Sequence, residues 1–266
     1  MALLSCQNQE ETSTAGSFGS SAFSAETTIS KWDNSQFPLS LKYGRNFDTQ
    51  EISAIQSAAT NWSDSVDNNL NFFTISDSNI ISKSSSSSYD DCELGIYKID
   101  TWPSELPESA LAVTQIFGNK SSDGIIKIDH ADILVNFDNF TFTTDDSWGY
   151  DFQSIILHEM GHFLGLFHSG ASSEDSIMYP SISRYTVNNY PKTTDISNIA
   201  NLYNINSSES NALSVIGRGL ASEREETNTT DERVKIIIEI YPNGLEKMKL
   251  FRGDKYEKTI HDCTHP

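Results

Sequence analysis

The chain has 266 residues, 37% hydrophobic and 11% aromatic, enough for one substantial core with a small appendage. With 18 Lys+Arg against 37 Asp+Glu the formal net charge is −19, so there is no basic footprint for a nucleic acid or an anionic membrane surface, and the acidity reads as a source of solubility. No apolar run reaches the ~18–20 residues a transmembrane helix needs, and Cys6, Cys92 and Cys263 form no C-x-x-C pair for a cysteine zinc site.

Residues 1–30 are rich in Ser, Thr, Gly and Glu and show no apolar period, so a disordered tether is expected. Within them, Leu3-Leu4-Ser5-Cys6 resembles the end of a bacterial lipoprotein signal, although the basic start and the full apolar stretch are missing. Cys6 is thus a candidate lipid anchor, and the expected location is extracellular or at the cell envelope. Structure is expected to start near Phe37, with Pro38–Tyr43 alternating as a first strand. Asp48 and Glu51 form a capping-box pair. Ile52, Ile55, Ala59 and Trp62 then follow at helical spacing, predicting a helix over 49–64. Leu70–Ile75 reads as a second strand, and the serine run Ser84–Ser88 as a flexible loop. Glu93–Ile99, Ala110–Phe117 and Ile125–Phe137 are three more strands, separated by Pro103 and Pro107 and then by Gly118 and Gly124.

Asp151 opens the next helix, predicted to run to about Leu164. Ser176–Pro180 is a tight apolar turn. Thr194 and Asp195 open a last helix, with Ile196, Ile199 and Tyr203 on one face. Beyond 206, Ser207–Asn211 and Glu223–Asp231 read as linkers. Val234–Tyr241 and Leu245–Arg252 flank Pro242-Asn243-Gly244, a hairpin signal. The expected division is a tether at 1–30, a catalytic domain at 31–205, and a linker with a small β-hairpin at 206–266. Cys92 and Cys263 either form one disulfide or remain two thiols.

Residues 158–168 read His-Glu-Met-Gly-His-Phe-Leu-Gly-Leu-Phe-His. His158 and His162, four apart, share one helix face and can reach one zinc ion at ~2.0–2.1 Å. Glu159 projects from the neighbouring edge of that face, placed to take a proton from metal-bound water. Gly165 can end the helix and turn the chain, so that His168 returns as third ligand. The fourth position stays open for water, which marks a catalytic zinc site.

This pattern resembles the metzincins, and Ser176-Ile177-Met178-Tyr179-Pro180 resembles their methionine turn in its matrixin form. The resemblance implies an α+β metzincin (zincin-like) fold: a mixed, twisted five-stranded sheet, three helices and an active-site cleft. It implies that Met178 floors the metal site without binding it, and that Tyr179 and Pro180 begin a specificity-pocket wall. Leu111–Gly118 resembles the matrixin edge strand, so Ala112, Val113 and Thr114 are expected to pair with an extended substrate, as an exposed edge can. The expected activity is a zinc-dependent endopeptidase acting on protein or peptide substrate, as a monomer with one zinc ion. The family's inhibitory cysteine motif is not seen, and His130, alone in its region, reads as a surface or strand residue rather than a second zinc ligand. Asp123, Asp129, Asp132 and Asp138 are either calcium ligands or an acidic solvated face. His261 and His265 read as a disordered tail. The rival function is a non-catalytic adhesion or binding protein on the same scaffold, which would have no need of Glu159.

Overall fold

A computed structural model describes residues 29–66, 70–145, 147–205, 232–242, 245–252 and 255–264. Cys6, residues 1–28 of the expected tether, and the linkers at 207–211 and 223–231 lie outside them.

In chain order the elements are β1 (Ile29–Lys31), β2 (Leu39–Gly44), α1 (Thr49–Asp64), β3 (Phe73–Ile80), β4 (Gly95–Ile99), β5 (Ala112–Lys120), β6 (Ile125–Asn136), β7 (Phe142–Thr143), β8 (Tyr150–Asp151), α2 (Phe152–Phe163), α3 (Thr193–Tyr203), β9 (Glu232–Ile240), β10 (Leu245–Arg252) and β11 (Lys255–Thr264). The main sheet runs β11-β10-β9-β5-β6-β4-β2-β3, with β1 beside β6. Its β2, β3, β4, β6 and β1 pairings are parallel. Those joining β6, β5, β9, β10 and β11 are antiparallel. The fold is α+β with three helices, as expected.

The helices form where the caps predict. The Asp48 carboxylate accepts from the amides of Gln50 (2.8 Å) and Glu51 (2.9 Å), and the Asp48 amide donates to the Glu51 carboxylate (2.8 Å). The apolar face of α1 (Ala54, Ile55, Ala58, Ala59 and Trp62) is buried, and Trp62 Nε1 donates to the Leu157 carbonyl of α2 at 2.8 Å. Asp151 caps α2 through the Ser154 amide (2.8 Å). The core joins residues of α1, α2 and α3 to the apolar side chains of the sheet, which fixes α2 beneath β5 and β6.

Four expectations are corrected. Structure is present ahead of Phe37, because β1 at Ile29–Lys31 pairs with Ile125–Lys127 and Ser30 and Trp32 are buried. The serine run is not a loose loop. Residues Ser86–Tyr89 form a 3-10 turn whose Ser86 amide donates to Glu105 (2.6 Å), with Ser86 and Tyr89 buried. The predicted five strands form one end of a nine-stranded sheet, from β5 to the edge strand β3, since β1 joins beside β6 and the C-terminal segment adds three strands rather than a free hairpin. Its Val234, Ile236, Ile238 and Ile240 are all buried, which an isolated hairpin could not achieve. Finally, His261 lies in β11 and not in a disordered tail; His265 lies outside the described residues.

Candidate metal centre

The bend after α2 sets the geometry. Gly165 has φ +95°, its amide donates to the His162 carbonyl (2.8 Å), and the Leu166 amide donates to Gly161 (2.9 Å). Two distant residues brace this bend: Trp32 Nε1 donates to the Phe163 carbonyl (2.7 Å) and the Tyr203 hydroxyl to the Leu164 carbonyl (2.6 Å). A side chain at 165 would meet the Ser30 carbonyl oxygen at 2.1 Å, so glycine is required by space as well as by φ.

Three imidazoles converge. His158 Nδ1 lies 2.6 Å from the Ile177 carbonyl and His162 Nδ1 lies 2.8 Å from the Leu166 carbonyl. A carbonyl only accepts, so both rings carry their proton on Nδ1 and turn an Nε2 lone pair inward. Those Nε2 atoms stand 3.3 and 3.1 Å from His168 Nε2. His168 can offer a proton to only one of them. Two nitrogens bound at ~2.0–2.1 Å to a tetrahedral ion are about 3.3–3.4 Å apart, so the cluster fits one zinc-sized cation. Burial, and then the neighbouring His158 and His168, hold the His162 pKa well below the usual histidine range, in the neutral form a metal needs. Among the described residues this is the only group of three or more ligating side chains that could hold a metal.

The turn at 176–180 supports the cluster from below. Asp195 is fully buried at the start of α3. It accepts from Ser176 Oγ (2.5 Å), the Ile177 amide (2.8 Å) and the Lys192 amide (2.9 Å). It thereby fixes the carbonyl that orients His158. Sequence reasoning gave Asp195 only the opening of a helix. Met178 is buried and packs against Gly161, where an added Cβ would sit 2.3 Å from its Sδ. Tyr179 lines a cavity of about 110 Å³ together with His158, Ser181 and Ile182, among others. Pro180 is buried beside it.

Glu159 is completely buried, and burial pushes its pKa up to about 8, against the lowering effect of a hydrogen bond from the Thr114 hydroxyl. That bond goes to Oε2, while Oε1 has no hydrogen-bond partner among the described residues. Thr114, expected on the substrate rim, therefore touches the carboxyl directly.

The expectation of a free substrate edge is overturned. Ala112, Val113 and Thr114 lie in an interior strand, opposite Ile240, Glu239 and Ile238 of β9, and all three are fully buried. The cause is pairing: an open edge on β5 presents backbone donors and acceptors, and β9 satisfies them.

The other candidates do not form a second centre. His130 is a strand residue but not a surface one. It is buried, with Nε2 against Asp132 Oδ2 (2.7 Å) and the Tyr89 carbonyl. Asp132 also accepts from the Gly95 amide (3.0 Å). Asp123 binds Ser121 and the Ile125 amide, Asp129 pairs with Arg233, and Asp138 accepts from the Trp102 amide. These four carboxylates point to separate partners, which gives no support to calcium. Cys92 is an exposed free thiol, so it is not bridged to Cys263. Among the described residues no helix is long and apolar enough to cross a membrane.

Set against known proteins, residues 31–204 match the matrixin family model, peptidase family M10. Metalloendoproteinase 1 of Glycine max is 46% identical over 57 residues, 21% of this chain and 18% of that protein, so the match spans a small part of the relative's length. In a structural comparison, high choriolytic enzyme 1, a hatching-enzyme zinc-protease of the medaka Oryzias latipes, matches at 14% identity and a TM-score of 0.30. That match covers 68% of this chain and 96% of the other.

Proposed function

The chain belongs to the matrixin family, and from that premise we propose that it is a zinc-dependent endopeptidase with His158, His162 and His168 as ligands and Glu159 as general base. The observation that carries this reading is the inward convergence of three Nε2 atoms beside a buried carboxyl. When bound, zinc supplies a Lewis acid that acidifies water and polarises a peptide carbonyl. The Ile177 and Leu166 carbonyls hold the two helical rings in the ligating tautomer. Thr114 holds Glu159 Oε2, which leaves Oε1 to take a proton from the attacking water and pass it to the leaving amine. Met178 provides an apolar floor, and Tyr179 and Pro180 the start of a side-chain pocket. The substrate is a protein or peptide, and the setting is outside the cytoplasm, with Cys6 as lipid anchor.

The test is hydrolysis of casein and of a quenched peptide library by the zinc-loaded chain, freed of residues beyond 231 where needed, with and without a zinc chelator. Cleavage that the chelator stops and zinc restores supports the reading. A fully zinc-loaded protein that cuts nothing in either form favours the non-catalytic binding protein.

A further inference from the structure

β9 fills the edge of β5, the place at which a sheet adds an extended strand. It pairs antiparallel with β5 along the whole strand, from Ala112↔Ile240 to Lys120↔Glu232, and the Leu111 amide donates to the Ile240 carbonyl at 2.9 Å. On the opposite rim, just beyond the methionine turn, Ser181 forms a parallel bridge with Tyr241, and its hydroxyl donates to the Pro242 carbonyl (3.5 Å). One run of chain, Ile238–Pro242, is thus held by backbone on both sides. Its side chains alternate. Ile240 packs with Leu111, Ala112, Ile155 and Ile182, on the side of α2. Ile238 stands opposite Thr114, whose hydroxyl bonds Glu159. Glu239, on the other face, is fully buried and accepts from the Tyr241 hydroxyl (2.6 Å) and Lys249 Nζ (2.6 Å), which ties β9 to β10.

We propose that β9 occupies the peptide-binding position of the cleft, so that the intact chain is latent and Ile238–Pro242 displays the class of substrate the cleft takes. That class is an extended segment with a β-branched aliphatic residue directed at Ile155 and Ile182. The proposal rests on the peptidase reading above for what the cleft does, but not for what fills it. An edge strand accepts one partner, so β9 and a substrate exclude each other. Because β9 is tethered to the same chain, it competes at an effective concentration on the order of millimolar. A free peptide at ordinary concentrations does not displace it.

The experiment places a recognition sequence for an unrelated serine protease at Thr229-Thr230 of the zinc-loaded full chain. The chain is then nicked, and the C-terminal piece is removed in mild denaturant. The expected result is a rise of about 10- to 100-fold in hydrolysis of a quenched peptide. Faster hydrogen exchange at the Ala112–Thr114 amides should accompany it. A labelled synthetic peptide of residues 232–242 should bind the core, restore that protection and inhibit competitively. Measurable hydrolysis that is equal before and after removal overturns the proposal, as does a peptide that leaves the Ala112–Thr114 amides unprotected. Should the core not survive without β9, Ile240→Asp in the intact chain is expected to raise both hydrolysis and exchange at those amides. No change in either overturns the proposal. If no form cuts peptide but the labelled peptide still rebinds and protects β5, the occupancy stands and the peptidase reading fails.

Discussion

Residues 151–195 and residues 232–264 are held in place by different forces. In the first stretch, single side-chain contacts decide the geometry: Asp151 on the Ser154 amide, two imidazoles on two carbonyls, Asp195 on three donors. In the second, a backbone ladder and a row of buried isoleucines dominate, with side-chain pairs such as Glu239 with Lys249 and Glu232 with Arg252 adding to them. A site built from directional contacts has one arrangement and loses function stepwise as contacts are removed. A strand held by pairing and apolar area is replaceable by any chain of similar pattern. The fixed part therefore suits metal chemistry, and the exchangeable part suits a substrate's place.

The largest expected effect isolates the fixed part. Glu159→Gln in the nicked, separated protein should lower hydrolysis by roughly 10²–10⁴-fold with zinc content unchanged. Retained activity would remove Glu159 as the base. Next, Asp195→Ala leaves the Ser176 hydroxyl and the Ile177 and Lys192 amides without their acceptor. It should cost about 3 kcal/mol in urea unfolding and weaken zinc binding by about 10- to 100-fold in a chelator competition. A loss of stability without loss of zinc affinity would show that the turn does not govern His158.

Ile238→Ala sharpens the contrast from the other side. It should cost about 2–3 kcal/mol, seen as faster exchange along β5 and β9 with zinc affinity retained. A parallel loss of zinc would mean that the two regions are one unit.

The smallest effect belongs to neither region. Burial raises the Asp132 pKa to about 6. For His130, burial acts downward, but the hydrogen bond and charge of Asp132 and the Tyr89 carbonyl outweigh it, so its pKa also rises. Both shifts make the folded state hold more protons than the unfolded chain. Stability then falls as pH rises, first from about 4 to 6 through Asp132 and then above 6.5 as His130 loses its proton. Thermal melts with chelator throughout should drop by about 2–4 °C for each 1 kcal/mol lost. The part of the slope above pH 6.5 should vanish in His130→Asn, and a flat profile in the parent chain would contradict the assignment.

The convergence of His158, His162 and His168 was legible because its cause is local: helical spacing, then a glycine that reverses the chain. The capping box and core face of α1 and the Asp151 start of α2 were legible for the same reason. Asp195 was not, because its role exists only once α3 lies against the turn at 176–178. Thr114 was read as rim and proved to be the partner of Glu159, since which face of β5 it takes depends on register. Trp32 looked like part of a loose lead-in, and its anchor on the Phe163 carbonyl lies far along the chain. The hairpin signal from Val234 to Arg252 announced β9 and β10 as an antiparallel pair, which forms, but not the pairing of β9 with β5, for nothing in a sequence marks which sheet edge a hairpin will join. Lys255–Thr264 is too polar to have announced itself at all.

The contact between Gly161 and Met178 makes those two positions a single steric unit. Each is sized by the other, so neither should drift alone: a methyl group gained on the helix has to be matched by volume surrendered at the turn. A Gly161→Ala change should thus be poorly tolerated by itself and relieved in part by a slimmer residue at 178, since Trp62 also stands 3.0 Å from the added Cβ. Such compensated pairs are what repeated rounds of random mutagenesis would recover, long before either change singly.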